Sequence, residues 1–223
     1  MYNSEKKPNQ NNRYNRYSLS TGACMDQNAF LHTICAHPDE DAPRLVYADW
    51  LDERGDPLGE FIRVQVELAK IKENHPRFAP LRSRQLELML ANVPRWVQPY
   101  GMQMWGVEFR RGFICAGAVD AKALVNDEAW FERWPWEELR LRNAGACLEQ
   151  LLRWPRLTRL KKLDFSQSNL RDGHLRRLTQ SPYVRTVHLV RSIELGAVVP
   201  TMQTEADLVA AFGARVHWSG KDR

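Results

Sequence analysis

The apolar positions of this chain change their period near residue 101. Before it they recur at three- and four-residue steps, the spacing of a helix face; after it they come in short β-favouring runs and Leu-x-Leu pieces. Asp26 can cap a helix over about Gln27 to Ala36, with Phe30, Leu31 and Ile34 as its stripe and His37-Pro38 as its stop. A second helix runs from the Asp39-Glu40-Asp41 group to about Glu53, with Pro43 in its first turn, where a missing N–H costs nothing. Gly55 suits the left-handed residue that ends it. Asp56-Pro57 then starts a third helix, carried by Phe61, Ile62, Val64, Gln65, Leu68 and Ile71 to about Lys72, so the two form an αα-hairpin. After the Asn74-His75-Pro76 break, residues 80–92 predict another helix, ended at Val93-Pro94, and Pro99-Tyr100-Gly101 predicts a turn.

Residues 103–119, broken at Arg111-Gly112, read as a hairpin or two short strands, and a short helix is expected from about Ala121 to Trp130. A repeat follows. Leu139, Leu163 and Val187 are spaced 24 and 24, as are Leu141, Phe165 and Leu189. Between them lie the helical patterns Leu148, Leu151, Leu152 and Leu175, Leu178. A fixed period in the twenties, one strand and one helix per unit, predicts a short leucine-rich αβ solenoid. Its best unit is Leu160-x-x-Leu163-x-Phe165-x-x-Ser168-x-Leu170, with Ser168 where such repeats usually place asparagine; Ala144 and Ser192 fill that slot in the outer units. A last helix from Glu205, Gly213 and a strand over Arg215–Trp218 close the chain. The expected organisation is α/β: a disordered polar tail over 1–25, a helical module over 26–100, and the solenoid with its capping end over 101–223.

Charge sharpens this division. Residues 26–80 hold six basic against eleven acidic side chains, a balance of −5; residues 139–191 hold twelve against three, a balance of +9. The overall +5 describes neither half, and the segregation raises the hypothesis that the acidic helices dock on the basic repeat, beside a solvated basic surface or an external partner. The tail adds an Asn-Asn-Arg-Tyr-Asn-Arg-Tyr run over 11–17 that mixes cations with rings. Four scattered cysteines without a CxxC pair suit reduced thiols, and no apolar run reaches membrane-spanning or signal-peptide length, so a cytoplasmic protein without membrane contact is expected.

Candidate chemistry is sparse. The carboxylates from Asp39 to Glu60 lack EF-hand spacing, and caps explain Asp41 and Asp56. Arg44 is expected to pair with Asp49 or Asp52, and Tyr47 and Trp50 to pack, with an interface as their functional reading. Cys24, His32, Cys35 and His37 match no common zinc spacing, and GxSxG, HExxH, Walker A and Rossmann patterns are absent. The expectation is therefore a non-catalytic protein without cofactor or metal. The residues flanking the LxL positions would face one surface, and Arg140, Arg142, Lys162, Asp164 and His188 are the candidate contacts for an acidic protein partner. The alternative is nucleic-acid binding, through these residues with Arg153, Arg156, Arg159, Arg176 and Arg177 and the basic tail.

One stretch resembles a known family. Asp41-Ala42-Pro43-Arg44-Leu45-Val46-Tyr47-Ala48-Asp49-Trp50-Leu51, Glu53-Arg54-Gly55-Asp56-Pro57 and Gly59-Glu60-Phe61-Ile62-Arg63-Val64-Gln65 resemble the bacterial repeat-companion domain of planctomycete-type genomes. The likeness is specific over Phe30 to Ile71. Arg110-Arg111-Gly112-Phe113-Ile114 and Phe212-Gly213-Ala214-Arg215-Val216 resemble such proteins more loosely. That resemblance implies a cytoplasmic, adaptor-like protein placed beside repeats, and carries over no catalytic residue.

Overall fold

A computed structural model describes residues 21–97, 104–126, 131, 133–185, 192–196 and 198–217. It is mixed α/β. Helices α1 (Thr21–Ala36), α2 (Ala42–Asp52), α3 (Leu58–Lys70) and α4 (Phe78–Val97) precede a sheet of β1 (Met104–Arg110), β2 (Phe113–Asp120), β3 (Glu138–Arg142), β4 (Lys162–Gln167), β5 (Ser192–Glu194) and β6 (Val216–His217). The strands lie side by side in chain order; β1 and β2 are antiparallel and every later pair is parallel. Helix α5 (Ala121–Asn126) and the helices Leu148–Leu152, Asp172–Gln180 and Met202–Phe212 lie between successive strands in the chain.

The punctuation of the αα-hairpin behaves as its residues dictate. Gly55 adopts φ +65°, and the Leu58 N–H donates to Asp56 Oδ1 at 3.0 Å. Helices α2 and α3 approach closely at Gly59, where an added Cβ would lie 2.2 Å from Asp52 Oδ1 and 2.8 Å from the Ala48 carbonyl. Two expectations fail here. Asp41 makes no side-chain cap; it pairs instead with Lys70 at 3.3 Å and Arg111 at 3.4 Å. The cation that takes Asp49 and Asp52 is Arg63, whereas Arg44 is buried and donates to the Glu40 carbonyl at 2.6 Å. Burial lowers the Arg44 pKa, Arg111 adds repulsion, and Asp41 opposes both.

Helix α4 also runs past its predicted stop. Pro94 sits inside it, because the next turn carries Trp96 into a cluster with Phe61, the rings 4.8 Å apart. The burial of that indole opposes the lost backbone bond. Helix α1 begins at Thr21, ahead of Gln27 and inside the stretch expected as tail.

The hairpin β1–β2 joins helices to sheet. Its turn residues Arg111 and Gly112 take φ of +51° and +89°, the positive pair of a two-residue hairpin turn. Gly112 lies against α3: a Cβ there would meet Ile62 Cγ1 at 2.3 Å, and its N–H donates to Gln65 Oε1 at 2.6 Å. Phe113 then continues a buried aromatic series through Tyr47 and Trp134. One apolar cluster runs from Ile34 and Tyr47 through Leu139, Leu141, Leu163 and Phe165 to Phe212.

Strands β3 and β4 pair in parallel at a 24-residue step. Leu139 pairs with Leu163, and Leu141 and Phe165 are fully buried with Leu151, Leu175 and Leu178. Ser168 works in the asparagine slot: its hydroxyl donates to the Leu141 carbonyl at 2.7 Å and accepts the Ala144 N–H at 3.3 Å. The third unit departs from the period. Leu163 pairs with Ile193, thirty residues on, where the 24-residue period predicts Val187. Residues 186–191, including His188, lie outside the described residues. A further helical turn at Pro182–Arg185 lies in this return.

Candidate functional site

Strand register builds the candidate face. Trp105 pairs with Ala118, Ala118 with Arg140, and Arg140 with Asp164, which places all four side chains in one row on one side of the sheet. A second row runs Glu108, Ala116, Glu138, Lys162. The alternate residues Leu139, Leu141, Leu163 and Phe165 point into the core, so the hydrophobic pattern that folds the strands also exposes this polar side. Arg140, Arg142, Lys162 and Asp164 thus come together as their spacing predicts.

Their chemistry is more committed than the sequence suggests. Arg140 Nε donates to Asp164 Oδ2 at 2.6 Å, and the Ser166 N–H donates to Oδ1 at 2.8 Å. The Asp164 side chain is only 8% exposed. Burial raises its pKa, but the bonds from Ser166 and Arg140 outweigh that and hold the carboxyl below its ordinary value. Asp164 therefore orients Arg140 and is a poor direct contact. Arg142 lays its guanidinium 4.3 Å above the Trp105 ring, which keeps 38% of its surface exposed. Between these groups, Ala116 and Gly117 leave a small hollow of about 50 Å³ rimmed by Glu108, Glu138, Arg140 and Lys162.

The face is mixed in charge: Glu108, Asp120, Glu138 and Asp164 stand beside Arg140, Arg142 and Lys162. The basic face expected from the +9 segment is not what this surface presents, because the hairpin contributes an acid, two alanines and a tryptophan. Trp105, Glu108 and Ala118 are the residues that sequence reasoning missed. Their signal was the alternation within the hairpin, which became meaningful only once β2 paired with β3.

Three of the remaining arginines are engaged elsewhere. Arg176 donates to Thr204 Oγ1 at 3.0 Å and pairs with Asp172 at 3.0 Å; Arg177 pairs with Glu149 at 2.5 Å. Arg159 donates to the Cys35 carbonyl at 3.2 Å, so this cation meets the acidic helices through backbone, not through a carboxylate. A phosphate would have to compete with these internal bonds for Arg159, Arg176 and Arg177.

Tyr47 is buried and stacks on Trp50 with centroids 5.8 Å apart, while Arg54 covers Trp50 at 3.7 Å. Neither ring is offered as an open anchor. Cys35, Cys115 and Cys147 carry free thiols, and burial pushes the Cys115 pKa up to about 11. Among the described residues no group of three or more His, Cys, Asp or Glu is placed to hold a metal ion, and no helix is long and apolar enough to cross a membrane. Comparison with known proteins found no matching family model, no matching curated protein and no matching solved structure.

Proposed function

We propose that this chain is a non-catalytic, cytoplasmic scaffold whose open strand face binds a protein partner. In this reading α1 to α4 are a repeat-companion module, and β3 onward is a short leucine-rich-type coil that the module and the β1–β2 hairpin cap at its first edge. The 24-residue step between β3 and β4 and the Ser168 bonds to the previous turn support the coil. The close α2–α3 crossing at Gly59 and the Asp41-to-Gln65 stretch support the companion module.

The single observation that carries the binding role is the row Trp105–Ala118–Arg140–Asp164. It presents an exposed indole and an oriented guanidinium on a rigid sheet, with small residues beside them that let a partner approach. Rigid aromatic and arginine anchors around a hollow are what protein hot spots use. Its mixed charge favours a partner of mixed charge over a strongly acidic one.

Site-specific photocrosslinking tests this reading. A photoreactive phenylalanine analogue at Ala118 should capture a discrete protein in nuclease-treated cytoplasm, and the same probe at Gln150, on the helical side, should not. Trp105→Ala should weaken that capture by about tenfold or more, as expected for a hot-spot aromatic. Capture from Gln150 with none from Ala118 overturns the proposal.

A further inference from the structure

A second site lies on the helical module, away from the strand face. An open cleft of about 550 Å³ separates α3, the first half of α4 and the hairpin turn. Leu68, Phe78 and Phe109 give it an apolar wall, and Gln65, Arg82 and Gln85 line it with polar groups. Both glutamines are more than nine-tenths buried, at 6% and 8% exposure.

Their orientations are set by their neighbours. Gln65 Oε1 accepts the Gly112 N–H, so its amide nitrogen is the remaining end, and that nitrogen donates to no group among the described residues. Gln85 Oε1 accepts from Arg82 Nη1 at 3.0 Å; arginine has no acceptor, so the Gln85 nitrogen is again the remaining end, and it meets only the weak acceptor Met89 Sδ at 3.7 Å. Arg82 is exposed and has no carboxylate partner among the described residues. Arg110 and Arg111 stand at the other rim, neutralised by Glu137 and Asp41. Glu73 is the acid on this lining.

The polar lining is thus rich in donors, with one unneutralised cation and apolar rings beside it. The Gln65 amide nitrogen opens to the cleft, and a carboxylate is the acceptor that both it and Arg82 favour. We propose that this cleft binds an acidic, extended segment of a partner protein, a carboxylate side chain seated on Gln65 and Arg82 and an adjacent apolar side chain against Phe78 and Phe109. This site goes beyond the strand-face reading and stands or falls separately from it.

The test titrates the full ¹⁵N-labelled chain with the capped peptide acetyl-Gly-Asp-Leu-Glu-Leu-Gly-amide, its Asn/Gln counterpart, and sodium acetate, each to about 5 mM, and follows the glutamine side-chain NH₂ signals. The acidic peptide should shift Gln65 and Gln85 saturably, and the amide counterpart should bind about fivefold or more weakly. Arg82→Glu should abolish the shifts while leaving backbone signals outside the cleft in place. Glu73→Gln, a change on an exposed loop, should tighten binding about twofold by removing repulsion. No shift, equal response to the amide peptide, shifts confined to the Trp105 face, or full reproduction by acetate at the same concentration each overturns the proposal.

Discussion

Helices α2 to α4 and strands β3 and β4 satisfy their charges in opposite ways. On the helices, Arg63 holds Asp49 and Asp52 and Arg84 holds Glu60 and Glu87, with every one of these side chains well exposed. In the sheet, Lys161 reaches Glu137 and Arg140 reaches Asp164, and both carboxylates are nearly buried, at 9% and 8% exposure. Surface pairs of the first kind contribute little because water and salt compete for each ion. Buried carboxylates of the second kind are costly to leave alone, so their partners are held in place. The contrast teaches where rigidity resides: Arg140 is fixed on the strand face because its partner Asp164 is sunk among neighbouring strands, while the helical surface can exchange its partners freely.

The largest expected effect tests whether the sheet depends on its apolar side. Phe165→Ala should cost about 4 kcal/mol by urea unfolding, since the ring is fully buried and its cavity cannot collapse between paired strands. A loss under about 1 kcal/mol would mean that the strands are held by backbone pairing alone.

Next, Gly112→Val attacks the joint between the two regions. The left-handed φ and the 2.3 Å approach to Ile62 Cγ1 forbid a branched side chain, and a loss of about 3 kcal/mol is expected. Loss of protection in both halves together, measured by hydrogen exchange, would show that the turn couples them; loss confined to the hairpin would separate them.

The buried ion pair gives a smaller, pH-dependent effect. The folded pKa of Asp164 lies below its unfolded value of about 3.9, so its contribution is whole above that value and is lost as pH falls through the folded pKa. Asp164→Asn should therefore flatten the stability profile between about pH 5 and 2, and Arg140→Ala should flatten it in part. An unchanged slope in both variants would remove Asp164 from the acid response.

Asp49→Asn should produce the smallest change. It removes one arm of an exposed pair and should alter stability by no more than about 0.5 kcal/mol in a thermal melt. A loss as large as that of Arg140→Ala would erase the distinction between the two regions.

Residues whose effect is local were legible without the fold. Gly55 and Pro57 announce the joint of the αα-hairpin, Arg111-Gly112 the hairpin turn, and the Leu139 and Leu163 spacing the parallel pair β3 and β4. Arg140, Arg142, Lys162 and Asp164 followed from the same alternation. Less legible were the roles that depend on a distant partner. Asp41 sits where a cap is wanted, yet Lys70 and Arg111 claim it; Arg44 precedes two acids on its helix, yet Arg63 reaches them first.

What the sequence by itself determined is the menu of elements and which side of each strand is apolar, because backbone preference, capping and alternation act within a few residues. The tertiary structure alone decided that β2 lies parallel to β3, that β5 is Ser192–Glu194, and that Trp105 and Glu108 complete the face begun by Arg140 and Lys162. Those outcomes depend on how far a returning chain must travel before its backbone can pair, and on which side chains are already buried when it arrives.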